Sequence, residues 1–155
     1  MRRQPDVFQQ TIAQFQSQTG LRLDAPAPTH SVRVMVDDIC VALTDSGGTQ
    51  MMLEAEIIRL SESREERTYQ LYTALKANLG LVFDCSATVQ RSQSEDGEYL
   101  VARAVLPYTV TASSKLMKTI EDIAGLVDFI RRTAVQVDHP AAQGPHRHPN
   151  LIFPV

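Results

Sequence analysis

At 155 residues the chain has the length of one domain, enough to bury roughly 70% of the surface its unfolded form exposes. Its composition, 43% hydrophobic and 21% charged, is that of an ordinary globular protein. A net charge of −3 excludes any general affinity for nucleic acid or an anionic membrane surface.

Two cysteines, Cys40 and Cys85, are too few for a disulfide framework. Each sits in an apolar, strand-like run and is expected to be a small buried hydrophobe. Met1-Arg2-Arg3-Gln4-Pro5 is not followed by a signal-length apolar stretch, and no run approaches the ~20 residues needed to cross a bilayer. A cytoplasmic location is the expectation.

Pro5 and Asp6 suit a helix start, Phe8, Ile12 and Phe15 form its apolar stripe, and Gly20 ends it. Between Val7 and Leu21 no residue is charged. The amide positions are Gln9, Gln10, Gln14, Gln16 and Gln18, and the depletion of charge fits a helix covered by a partner as well as a solvated one.

Pro26 and Pro28 mark an extended connector. Val32, Val34 and Val36, then Ile39, Val41 and Leu43, alternate with their neighbours around Asp37-Asp38, a turn or bulge. After the turn chemistry of Asp45-Ser46-Gly47-Gly48, a third strand runs from Met51 to Leu60 with Leu53, Ala55 and Ile57 on one face. These strands form an antiparallel meander.

Ser63-Arg64-Glu65-Glu66 fits a capping box opening a second helix. Its stripe is Tyr69, Tyr72, Leu75 and Leu79, and Asn78 and Gly80 suit its end. Phe83, Cys85, Ala87 and Val89 lead to a hairpin turn at Glu95-Asp96-Gly97, and Tyr99 to Leu106 returns as the second arm of a second meander. A long helix starting near Ser113 carries Leu116, Ile120, Ile123, Val127, Ile130 and Ala134 at spacings of 4, 3, 4, 3 and 4. Gly125 within it predicts a closely packed neighbour. The fold class is α+β, with residues 1–137 forming one domain and residues 138–155 a Pro- and His-rich tail outside it. The tail's Leu151-Ile152-Phe153-Pro154-Val155 is apolar enough to dock on its own domain or a neighbour.

Chemistry-bearing residues are sparse. His30 is the only histidine inside the expected domain, so a nucleophile would lack a choice of base. His146-x-His148 has too few ligands for a structural metal, and Asp37-Asp38 and Asp45 read as turn residues rather than a cation loop. No metal, cofactor or catalytic residue is expected. Asp84, Glu54 and Glu56 keep open the alternative of a small enzyme with a carboxylate site. A dimerising structural subunit of a larger complex is the other.

The order of elements, together with Val32 to Leu43 around Asp37-Asp38 and with Leu71-Tyr72-Thr73-Ala74-Leu75-Lys76-Ala77-Asn78 as a helix ending in Leu-x-x-x-Asn, resembles the class I type III secretion chaperones, the Tir-chaperone family. The likeness covers about residues 7 to 136; the proline-rich tail departs from it. It implies a homodimer without catalytic activity that binds an extended N-terminal segment of a secreted effector and keeps it export-competent. A disordered segment suits this because it wraps a large surface and orders only on binding. By position, Tyr69, Tyr72, Leu75 and Leu79 become candidates for the dimer interface, the alternative being that they face their own sheet. Phe8, Gln14 and Phe15 on the uncharged helix, with Met35, Met51 and Met52, become candidates for effector contact. Methionine adapts to irregular partners; core filling is the alternative for the phenylalanines and methionines. A homodimer also follows from the two long amphipathic helices, which present more apolar face than a thin sheet covers.

Overall fold

The Asp6 side chain starts the first helix, α1 (Val7–Thr19), by accepting a hydrogen bond from the Phe8 N–H at 3.1 Å. Gly20 ends it in the left-handed conformation, with φ of 70°. The computed structural model describes residues 6–21, 23, 30–81, 85–108 and 113–135; Pro5, the 24–29 connector, Phe83, Asp84 and the 138–155 tail lie outside them.

β1 (Ser31–Val36), β2 (Ile39–Ser46) and β3 (Gln50–Arg59) form the expected antiparallel meander. Val36 pairs with Ile39 and Asp37 has φ of 53°, so Asp37-Asp38 is a tight two-residue turn rather than a bulge. α2 (Arg64–Leu81) follows, then β4 (Thr88–Ser94), β5 (Gly97–Pro107) and α3 (Ser113–Val135). The entry to α2 is capped by a relay. The Ser61 hydroxyl donates to Glu66 at 2.6 Å and accepts from the Ser63 N–H at 3.1 Å, so Ser61 stands between Glu66 and the Ser63 N–H that a capping box joins directly. β4 begins only at Thr88, leaving Cys85 and Ala87 ahead of the strand.

The two meanders are one sheet. β5 lies along the free edge of β3 from Gln50↔Pro107 to Arg59↔Tyr99, giving the order β1-β2-β3-β5-β4, antiparallel throughout. Alternation then sorts the side chains. Val32 and Val34, Ile39, Val41 and Leu43, Met51, Leu53, Ala55 and Ile57, and Leu100, Ala102, Ala104 and Leu106 are buried on one face. Leu116, Ile120, Ile123, Val127 and Ile130 of α3 and Phe8, Ile12 and Phe15 of α1 complete that core. Arg131 ties the C-terminal part of α3 to the sheet. Its Nε and Nη2 donate to the Ile57 and Glu56 carbonyls at 2.8 and 3.0 Å, beside the register shift between Glu56 and Ile58, and its Nη1 lies 3.6 Å from Asp38. A bulge leaves carbonyls off the ladder, and the guanidinium satisfies them.

Candidate protein-binding surfaces

The second face of the sheet carries no helix. Met35 of β1 sits opposite Cys40 of β2, and Met52 of β3 lies between Thr44 and Val105. Met35 is 61% exposed, Cys40 and Val105 are exposed, and Ala42 and Met52 are half-buried. An ionic pair stands level with Ala42, between the Met35–Cys40 row and the Met52–Val105 row. Arg103 Nε donates to Glu54 Oε2 at 2.7 Å, and Arg103 Nη1 to Gln90 Oε1 at 3.0 Å. β1 is also an edge strand. With Val36 and Ile39 closing the turn and the His30 carbonyl accepting from Asp45, the alternation of an antiparallel ladder leaves the N–H and C=O of Arg33 and Met35 on the outer side. Among the described residues nothing covers that edge, which is a template for an added strand.

The second surface comes from α2, which is turned inside out for an amphipathic helix. Its buried side consists of Gln70, Thr73, Ala74 and Ala77. Small residues let the helix approach α3 and β4 closely. Its bulky apolar residues face outward: Tyr72 is 53% exposed, Leu75 62% and Leu79 78%. Tyr69, half-buried, sits with Tyr72, Leu126 and Phe129 in a groove of about 630 Å³ between α2 and α3. Gly125 lines that groove, and a Cβ there would meet nothing within 4 Å, so the close neighbour expected of this glycine is absent from the described chain. The reading in which α2's stripe faces its own sheet is overturned for Tyr72, Leu75 and Leu79.

Several expected contact residues lie in the core instead. Phe8, Phe15 and Met51 are at most 1% exposed and offer no surface to a partner in this chain. For the phenylalanines the i, i+7 stripe faces α3 and the sheet. For Met51 the reason is parity, since it points the same way as Leu53, two residues on. Met35 and Gln14 are exposed and Met52 is half-buried, but Gln14 lies on the helical side of the sheet and does not join the other two. Cys40 is exposed and Cys85 half-buried, contrary to expectation. Cys40 alternates with the buried Ile39 and Val41, a pattern that was legible.

Charged groups are arranged for structure. Glu98 is hydrogen-bonded to the Arg67 guanidinium, which holds its carboxyl below the usual carboxylate range. Burial pushes the Tyr108 hydroxyl well above its ordinary range, and its 2.5 Å hydrogen bond to Asp45 adds to the effect. The bond to Asp122 raises Lys118. Glu54 is occupied by Arg103, and among the described residues no three His, Cys, Asp or Glu side chains gather as metal ligands. No described helix is long and apolar enough to cross a membrane.

The arrangement of layers can be compared with solved structures. Over 79% of this chain and 98% of the other, it superposes on a chain of the Yersinia pestis type III secretion chaperone SycH in complex with a fragment of YscM2, with 15% identity and a TM-score of 0.60. The chain has the type III secretion chaperone fold. The HopA1–SchA chaperone–effector complex contains a chain that matches 81% of this one over 94% of its own length, at 9% identity and a TM-score of 0.61. YbjN of E. coli, a candidate transcription regulator, also shares the fold, at 9% identity and a TM-score of 0.57 over 82% of this chain and 90% of its own. No protein-family model matches the sequence, and no curated protein matches it significantly. At such identities the likeness concerns fold, and function has to be argued from the surfaces.

Proposed function

We propose that this protein is a class I type III secretion chaperone of the Tir-chaperone kind, a cytoplasmic, non-enzymatic homodimer that binds an extended N-terminal segment of a secreted effector. The observation that carries this reading is the presence, on one small chain with the chaperone fold, of two separate uncovered apolar surfaces with different shapes. The outer face of α2, with Tyr69, Tyr72, Leu75 and Leu79, is a ridge beside a groove, suited to a second rigid copy of itself. The surface that starts with Met35 and Cys40 at the β1 edge and runs across Ala42 to Met52 is bordered by the outward-facing backbone groups of β1, suited to an extended chain.

Asp6 at the start of α1 lies 3.3 Å from His30, just ahead of β1, so a segment that passes the β1 edge can reach α1 and the exposed Gln14. Wrapping of this kind buries scattered apolar side chains without requiring the guest to fold. Titration of the chain with the N-terminal hundred or so residues of the secreted protein encoded beside it tests the proposal. Binding that is weakened by Met35→Asp and untouched by Glu62→Gln supports it, whereas a folded chain that takes up no such segment refutes it.

A further inference from the structure

We propose that the tail is a built-in occupant of the open sheet face: Leu151-Ile152-Phe153-Pro154-Val155 folds back around β1 of the same chain and covers Met35 and Cys40. The first ground is position. Arg131, four residues before the end of α3, is bound to the Glu56 and Ile57 carbonyls and lies 3.6 Å from Asp38. The chain therefore leaves α3 beside the Asp37-Asp38 turn, and Met35 and Cys40 are the next pair but one along that hairpin.

The second ground is reach. Residues 136–150 span up to about 50 Å when extended, far more than the thickness of a sheet. The third is charge. Residues 138–155 balance Asp138 against Arg147 and add three histidines, which are positive when protonated, while Asp37, Asp38 and Glu56 are exposed on the elements around which the tail must pass. The last is the chemistry of the segment. Three apolar residues stand between Pro149 and Pro154, and the flanking prolines lack the N–H that would continue a ladder. The rival site, the groove between α2 and α3, suits it less, because five residues would leave the Leu75 and Leu79 ridge uncovered.

The tail would then protect the adaptable methionine surface until a guest segment displaces it. This placement stands independently of what the surface binds, and its test uses no guest. The two cysteines report the two rival sites, since Cys40 lies on the sheet face and Cys85 lines the groove. Maleimide labelling of both, followed by mass spectrometry, is compared between the full-length chain and the full-length double variant Ile152→Asp, Phe153→Asp. Cys40 is expected to label about tenfold faster in the variant, the protection given by a docking preference of about 1.4 kcal/mol. Cys85 keeps its rate, and the difference persists on dilution. Equal Cys40 rates in the two proteins, acceleration at Cys85 alone, or a Cys40 difference that disappears on dilution would each overturn the proposal.

Discussion

The Asn78 side chain grips Val89 by both of its backbone groups: Nδ2 donates to the carbonyl at 2.9 Å and Oδ1 accepts from the N–H at 2.7 Å. Val89 stands in β4, the outer strand of the sheet, paired on its other side with Ala102. Asn78 thus supplies the ladder that an edge strand lacks and ties α2 to β4. Asn78→Ala should cost about 1 to 3 kcal/mol, the range for leaving buried polar groups unsatisfied. Urea denaturation would show it as a lower midpoint at unchanged slope.

Phe15 and its neighbour Gln14 separate core from surface within one turn of α1. Phe15→Ala removes a fully buried ring and should lower stability by about 3 to 5 kcal/mol. Gln14→Glu changes an exposed side chain and should leave the melting temperature nearly unchanged. If the guest segment covers it, the added charge weakens binding by about 1 to 3 kcal/mol. Thermal melts paired with calorimetric titration distinguish the two effects.

The ridge on α2 predicts a dimer of about twice the 17.2 kDa chain mass. Leu79 is 78% exposed in the single chain, so Leu79→Asp should leave the fold intact and convert the dimer to monomer. Light scattering with circular dichroism checks both. A wild-type monomer at tens of micromolar would remove the assignment of Tyr72, Leu75 and Leu79 to an interface.

Arg67 and Glu98 predict a pH dependence. Because Glu98 is held below its ordinary value of 4.5 in the fold, the unfolded chain binds more protons there in acid. The stabilisation is present above the unfolded value and is lost as pH falls through the lower, folded one. Arg67→Ala should therefore be less stable than wild type at neutral pH, with a gap that narrows in acid. Urea midpoints measured across the acid range would show the convergence.

Much of this was legible residue by residue. The α3 stripe from Leu116 to Ile130 and the strand alternation of Val32 to Leu43 mark their buried sides because a single period governs each. The parity that buries Met51 with Leu53 and exposes Cys40 between Ile39 and Val41 was present as well, but residue type outweighed it in the expectation. The merging of two meanders was not legible, since the β3–β5 pairing joins residues some fifty positions apart and leaves no local signal. The orientation of α2 was hidden for a different reason. Its periodicity reveals a stripe, and only tertiary packing decides that Ala74 and Ala77, rather than Leu75 and Leu79, meet the rest of the fold.

The central claim is that the open sheet face holds an extended guest segment. Amide hydrogen exchange on the dimer, with and without the N-terminal segment of the adjacently encoded secreted protein, tests it most directly. The account predicts slowed exchange at the outward-facing amides of Arg33 and Met35 on β1, with the β4 edge around Arg91 unchanged. Protection that spares β1 and appears only along α2 or β4 would contradict it.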